Sequence, residues 1–297
     1  MVFACVVAVV AFVRQYSDLN DDTVQSTLVP DQPDITYCTI EGISQKLDFY
    51  FPKTSGAQPV PLVVFVHGGS FTGGNKRGGT SLVTDIPVMV ARGYAVASVN
   101  YRLAPQHRFP APLADVKCSI RYLRANAAKF NIDPTKIAIW GASAGGNLAA
   151  LVGLTGPSAE FDTGPLLDQS SRVSAVVDLF GPTDLTASDF NWLQSFLLYR
   201  AMGTTSQQDA ILTAANPVNY VSKHAPPFLI LHGEQDNAVP ASQSRLFYER
   251  LKAANLDATL VMVKNANHEF KPTGGPIDPS RTVISQLVAD FFDRVIR

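Results

Sequence analysis

The sequence has few cysteines, little charge of either sign and no long apolar run. Only three cysteines occur among 297 residues, and they form no Cys-x-x-Cys pair and no zinc-type spacing with histidine. Charged residues make up 16%, and the 24 lysines and arginines nearly balance the 25 acidic residues. Such a chain has no basic stripe to neutralise a run of phosphates. We therefore expect no metal, no cofactor and no nucleic-acid partner.

Pairing of the cysteines is left open by the sequence. Cys118 lies within a helix-type apolar pattern, where buried packing is expected rather than reactivity. A single Cys5–Cys38 or Cys38–Cys118 disulfide is compatible with the spacing, but nothing in the sequence supports either one.

The first 34 residues differ in composition from the rest. Residues 2–13 form an apolar run that is too short for a membrane span, so we expect no stable membrane insertion. The run suits the core of a signal segment, although no basic residue precedes it, and an N-terminal helix is the alternative. Residues 14–34 are a polar lead-in. Secreted, periplasmic and cytoplasmic locations all stay open.

From residue 35 to residue 297 the pattern predicts one α/β domain with a mostly parallel central sheet covered by helices on both faces. Alternating stretches predict two edge strands, and continuous apolar runs predict buried parallel strands between helices. The predicted strands are 35–40, 45–51, 61–66, 94–99, 136–140, 173–180, 228–232 and 258–263. The predicted helices are 111–130, one beginning at 143, 242–254 and 279–295.

An aromatic segment at residues 185–222 interrupts this alternation and is interpreted as a small, irregular, lid-like insertion. Ligands of such sheets bind beyond the carboxyl ends of the strands, so the insertion would cover the site. Its aromatics Trp192, Phe196 and Tyr199 are candidate substrate contacts, and a small satellite core is the alternative.

Gly141-Ala142-Ser143-Ala144-Gly145 lies between an apolar strand and a helix-like segment. A strand, a tight turn and a helix form the context of a nucleophile elbow, in which flanking glycines make room for a strained serine. A serine that merely caps a helix is the simpler alternative, and a dinucleotide-binding loop is disfavoured because Gly-x-Gly-x-x-Gly spacing is absent. The pattern predicts Ser143 as a nucleophile.

A serine nucleophile requires a histidine base and an acid that orients it. Of five histidines, only His268 follows the last predicted strand, which is where the order Ser, acid, His requires the base. Two carboxylates, Glu234 and Asp236, follow the preceding strand. Asp236 is preferred because it precedes a turn that can hold a short side chain toward the histidine.

His67-Gly68-Gly69-Ser70-Phe71 follows another buried strand and predicts an oxyanion loop. Glycines allow backbone N–H groups to point into a site, so Gly69, Ser70 and Ala144 are assigned as the oxyanion donors. Phe71 is a further candidate substrate contact. Taken alone, the segment would be only a glycine-rich turn.

These motifs, with Asn100–Pro105, Phe109–Asp115 and Phe180–Asp184, resemble α/β-hydrolase esterases of the hormone-sensitive-lipase type. They are most similar to the bacterial group of feruloyl and acetyl-xylan esterases. The resemblance implies an α/β-hydrolase fold and hydrolysis of short-chain or aromatic carboxylic esters through an acyl-enzyme, with feruloyl or acetyl esters of plant polysaccharide among the candidates. Ser70 departs from the third glycine that many relatives carry.

A small-molecule ester is thus the expected partner, and the chain is expected to be a monomer or a homodimer. A serine peptidase on the same fold is the alternative enzyme, since the same triad cleaves amides. A noncatalytic binding protein of the same fold is the alternative outside catalysis.

Overall fold

The computed structural model describes residues 28–53, 56, 58–78, 86–156 and 159–297. They contain an eight-stranded sheet in the order β1-β2-β4-β3-β5-β6-β7-β8. The strands are β1 (Gln32–Ile40), β2 (Ile43–Tyr50), β3 (Val60–Val66), β4 (Ala95–Val99), β5 (Ile132–Ala142), β6 (Val176–Leu179), β7 (Phe228–Gly233) and β8 (Ala258–Val263). Residues 1–27, which include most of the anticipated signal segment and lead-in, lie outside the described residues.

Strands β3 to β8 are mutually parallel, whereas β2 is antiparallel to both of its neighbours, β1 and β4. Strands β3, β4, β6 and β7 are buried on both faces, which explains their continuous apolar sequences. The first two strands were both predicted to be edge strands. This is wrong for β2, which lies between β1 and β4, whereas β1 is one of the two edge strands, with β8 at the opposite edge. Strand β1 also begins three residues before the predicted domain start at residue 35.

Eight α-helices accompany the sheet within the described ranges. They are α1 (Ile86–Ala91), α2 (Ala111–Ala125), α3 (Ala127–Phe130), α4 (Ala144–Leu154), α5 (Trp192–Met202), α6 (Ala210–Ala214), α7 (Ser242–Ala253) and α8 (Arg281–Ile296). One apolar cluster joins a face of the sheet to α2, α4 and α7, and a second joins the opposite face to α1 and α8. The sheet is therefore covered on both faces.

Two helical segments differ from the sequence-based expectation. The predicted helix 111–130 is divided at Asn126, whose backbone leaves the helical region and whose side-chain amide donates to the Tyr122 carbonyl. Residues 185–222 were expected to be irregular, yet they contain α5 and α6. Helix α5 begins at a capping box formed by Asn191 and Gln194, a local signal that the sequence-based interpretation missed.

A disulfide joins Cys38 on β1 to Cys118 on α2, with Cα atoms 6.5 Å apart and 80 residues between them in sequence. The sequence left this pairing open, and Cys118 is fully buried as expected. The bond ties an edge strand to a helix that covers one face of the sheet. A cross-link over so long a loop stabilises the fold chiefly by restricting the unfolded chain.

Among the described residues, no helix has the length and hydropathy needed to cross a bilayer. The same residues contain no group of three or more His, Cys, Asp or Glu side chains that could hold a metal ion.

Candidate active site

Ser143 occupies the sharp turn between β5 and α4. Its backbone angles, φ 56° and ψ −121°, lie in a region that L-residues rarely adopt. The backbone N–H of Ser143 donates to the Leu179 carbonyl of neighbouring β6 at 2.8 Å, which helps hold the strained turn. A Cβ atom at Gly145 would collide with the carbonyl oxygens of Val66 and His67, so only glycine fits behind the serine.

The loops after β7 and β8 bring Asp236 and His268, the predicted acid and base, to this turn. His268 Nε2 lies 3.1 Å from Ser143 Oγ, and His268 Nδ1 lies 2.7 Å from Asp236 Oδ2. Because an ionised carboxylate only accepts hydrogen bonds, Nδ1 carries the proton and Nε2 presents its lone pair to the serine hydroxyl. The three predicted residues therefore form one hydrogen-bonded chain, although 125 residues separate Ser143 from His268.

The Asp236 carboxylate is buried and accepts hydrogen bonds at both oxygens. Its Oδ1 accepts the backbone N–H groups of Ala238 and Val239 at 2.8 and 2.9 Å. Burial by itself would raise the pKa of Asp236, but the charge of His268 and the hydrogen bonds from His232 and His268 hold this pKa well below its usual range. The alternative acid, Glu234, is exposed and has no described contact with His268. The geometry thus favours Asp236.

The loop at His67–Phe71 lies directly against the serine. A Cβ atom at Gly68 would come within 3.3 Å of Ser143 Cβ, and the backbone of Gly69, Ser70 and Phe71 has positive φ throughout. The Gly69 carbonyl accepts the N–H groups of Thr72 and Gly73, both at 2.9 Å. Within the described residues, the N–H groups of Gly69, Ser70 and Ala144 have no acceptor. These free donors next to Ser143 can receive a negatively charged oxygen.

His67 supports this loop. Its Nδ1 lies 2.7 Å from the Gly68 carbonyl, and its ring stacks on Tyr101 with centroids 4.3 Å apart. Complete burial lowers the pKa of His67 to about 4, so the ring is neutral at physiological pH. Tyr101 in turn donates to the His67 carbonyl at 2.9 Å. His67 is therefore a structural histidine that supports the predicted oxyanion loop.

The four candidate substrate contacts differ in exposure. Phe71 is buried, whereas Trp192 and Phe196 on α5 are 70% and 50% exposed. Tyr199 is half-buried and packs against the apolar cluster that joins the sheet to α2, α4 and α7. The Gln194 side-chain amide of α5 donates to the Asn237 carbonyl at 2.9 Å, which links α5 to the loop that carries Asp236.

A second buried acid, Asp178 on β6, lies behind the elbow. Its Oδ1 accepts the Gly181 N–H at 2.9 Å, and its Oδ2 has no hydrogen-bond partner among the described residues. Burial raises the pKa of Asp178 to about 6, although the Gly181 N–H and the nearby His232 act in the opposite direction. This pKa exceeds the ordinary value of 3.8. Below about pH 4 the carboxyl is protonated in both the folded and the unfolded chain, so it does not affect the free energy of unfolding. Between about pH 4 and about pH 6 the unfolded chain ionises more readily, so the free energy of unfolding falls, and the full loss is present above about pH 6.

We expect Asp178→Asn to raise the free energy of unfolding at pH 7.5 by about 2 kcal/mol. Asparagine keeps an oxygen for the Gly181 N–H and removes the buried charge. The gain should shrink at pH 4.5, where the wild-type carboxyl is largely protonated. Urea unfolding at the two pH values measures this, with exposed Asp168→Asn as the control. An equal gain at both pH values would contradict the assigned cause.

The chain is similar to a known protein family and to curated relatives. The model of the BD-FAE family matches residues 47–251. Esterase LipC of Mycobacterium tuberculosis is 34% identical over 264 residues, which are 86% of this chain and 63% of LipC. The chain thus spans less than two thirds of the length of this relative.

Two solved structures are similar over most of the chain. A truncated carbohydrate esterase from gut microbiota is 28% identical with a TM-score of 0.77, covering 91% of this chain and 97% of the other. A Thermogutta terrifontis esterase with bound propionate is 26% identical with a TM-score of 0.73, covering 89% and 94%. These likenesses confirm the fold class predicted from the sequence.

Proposed function

The chain belongs to the BD-FAE family, and from that premise we propose that it is a serine carboxylesterase that hydrolyses short-chain or aromatic esters through an acyl-enzyme. The observation that carries the proposal is the hydrogen-bonded chain from Asp236 through His268 to Ser143, at an elbow bordered by free N–H groups. Nucleophile, base and oxyanion donors are the three elements that acyl transfer requires.

In the first half of the reaction, His268 Nε2 takes the proton of Ser143 as Oγ bonds to the carbonyl carbon of the ester. The carbonyl oxygen becomes an oxyanion, which accepts hydrogen bonds from the N–H groups of Gly69, Ser70 and Ala144. When the tetrahedral intermediate collapses, the bond to the alcohol oxygen breaks and His268 gives that oxygen its proton. The alcohol leaves, and the acyl group stays on Ser143.

In the second half, water replaces the alcohol. His268 removes a proton from the water while the water oxygen attacks the acyl carbon, and the same N–H groups stabilise the second oxyanion. Collapse returns the proton to Ser143 Oγ and releases the acid. Asp236 holds the ring of His268 in the required tautomer and stabilises the imidazolium without taking up the proton.

Substrate selection is assigned to the insertion at residues 185–222 and to Phe71. Helix α5 is connected to the acid loop through Gln194 and exposes the aromatic side chains of Trp192 and Phe196. As a small lid, this segment supplies flat apolar surface rather than a deep tunnel, which suits short acyl chains and planar aromatic acids. The similar structures are named a carbohydrate esterase and an esterase with bound propionate, which supports carbohydrate esters with short acyl groups. Acetyl and feruloyl esters of plant polysaccharide are the candidates that the sequence resemblance adds.

The proposal predicts a peak of kcat/KM at acyl chains of two to about six carbons. In a tunnel, each extra buried methylene would contribute about 0.8 kcal/mol, and kcat/KM would climb steadily with chain length. The test compares initial rates on p-nitrophenyl esters from acetate to decanoate, and on methyl ferulate and acetylated xylan. A steady rise through decanoate with activation at an oil–water interface would show a lipase instead.

A further inference from the structure

His232, the penultimate residue of β7, contacts the acid of the proposed triad. The side chain is fully buried, and its Nε2 lies 3.2 Å from Asp236 Oδ2 and 3.0 Å from the Val239 carbonyl oxygen. Its Nδ1 lies 2.7 Å from Ser244 Oγ on α7. The imidazole therefore fills the space between the acid loop and a helix of the adjacent layer.

The partners of His232 determine which nitrogen carries the proton. Both groups that face Nε2, the Val239 carbonyl and the Asp236 carboxylate, can only accept hydrogen bonds. A lone pair at Nε2 would face two oxygens without any donor. Nε2 therefore carries the proton, and the Ser244 hydroxyl, which can serve as donor or acceptor, donates to Nδ1 of the neutral ring.

With that tautomer, four N–H groups face the Asp236 carboxylate. Oδ1 accepts two backbone N–H groups, and Oδ2 accepts the N–H of His268. The single N–H at Nε2 of His232 lies 3.2 Å from Oδ2 and is shared with the Val239 carbonyl at 3.0 Å. The two imidazoles approach the same oxygen from different elements, His232 from β7 and His268 from the segment after β8. A carboxylate with all four donors in place cannot rotate about its Cβ–Cγ bond without losing at least one of them.

We propose that His232 is a positioning residue of the active site, which fixes Asp236 Oδ2 in line with His268 and is itself held in the required tautomer by Ser244. The inference rests on the proposed function, because the orientation of His268 matters only if the ring moves a proton. His232 touches neither Ser143 nor any position assigned to the substrate. Its effect passes through the Asp236 carboxylate alone.

A pair of substitutions separates positioning from packing. His232→Gln places an amide N–H near the position of Nε2 and retains a donor to Asp236, whereas His232→Asn places its amide near Ser244 and lacks that donor. For p-nitrophenyl acetate we expect His232→Asn to lower kcat by about 10- to 100-fold while KM stays within about twofold. His232→Gln should recover kcat to within about fivefold of wild type.

The two substitutions are then repeated in the Asp236→Asn background. If His232 acts through the carboxylate, His232→Asn should change the residual kcat by less than about twofold there. Equal losses in both backgrounds, or a His232→Gln variant no more active than His232→Asn, would overturn the proposal. Thermal unfolding of each variant shows whether it is folded at the assay temperature.

If His232→Asn does not fold, Ser244→Ala carries the same test without removing the ring. Loss of the hydroxyl frees Nδ1, so kcat should fall about threefold in the wild-type background and not in the Asp236→Asn background. An unchanged kcat in Ser244→Ala would then overturn the proposal. Failure of the proposed function has a different signature, which is ester hydrolysis by the wild type that persists in Ser143→Ala.

Discussion

Ser143→Ala should lower kcat for p-nitrophenyl acetate by about a millionfold and leave a folded protein. The serine oxygen is the atom that bonds to the acyl carbon in the proposed reaction, and in the part of the chain that the structure describes no other hydroxyl contacts His268. The remaining groups of the triad have no nucleophile to activate, so they contribute almost nothing without it. Purified wild-type and variant proteins are compared by initial rates and by thermal unfolding.

Ser44→Ala is the matched control, since Ser44 is an exposed serine on β2, outside the proposed site and the insertion. That variant should keep the wild-type kcat within about twofold. If Ser143→Ala retained more than a few per cent of the wild-type rate, Ser143 would not be the nucleophile. The elbow would then be only a strained connection between β5 and α4.

Asp236→Asn should lower kcat at pH 7.5 by about ten-thousandfold with little change in fold. The backbone N–H groups of Ala238 and Val239 require an oxygen at the position of Oδ1, so the new amide nitrogen would occupy the position of Oδ2. There it would face Nδ1 of His268 as a donor. The ring would respond by placing its proton on Nε2, where it can no longer accept the proton of Ser143.

Glu234→Gln is the control for this substitution, because Glu234 is the other carboxylate in the same loop and is exposed. We expect its kcat to stay within about twofold of wild type. Rates and unfolding curves for both variants give the comparison. A large loss in Glu234→Gln, together with near-normal activity of Asp236→Asn, would exchange the roles of the two acids.

Local patterns in the sequence predicted most of the parallel sheet. Apolar runs such as residues 61–66 and 228–232 correspond closely to β3 and β7, because a strand buried on both faces has apolar side chains in both directions. The turn at Ser143 was predictable for a similar reason, because it depends on neighbouring residues. The strain at Ser143 is accommodated by glycines within two residues of it, so the motif is visible without the fold.

Features that depend on residues distant in sequence could not be predicted from local patterns. The sequence could not decide whether Cys38 pairs with Cys5 or with Cys118, or whether any pair forms, although the structure has the Cys38–Cys118 bond. That pairing depends on where β1 lies over α2, which is set by strand order. For the same reason β2 was assigned to the edge of the sheet, whereas its position between β1 and β4 depends on register with a strand some 50 residues away.

The same distinction between local sequence and tertiary packing applies to the candidate site. The sequence by itself selected Ser143, Asp236 and His268, because chain order and position after successive strands restrict where each group of a triad can lie. It gave no indication that His232 would share the Asp236 carboxylate with His268 or that Asp178 would be buried without a second partner. Those contacts arise where β6, β7 and α7 pack together. Only tertiary structure decides them, since hydrogen-bond partners and desolvation are properties of the packed interior and not of the local chain.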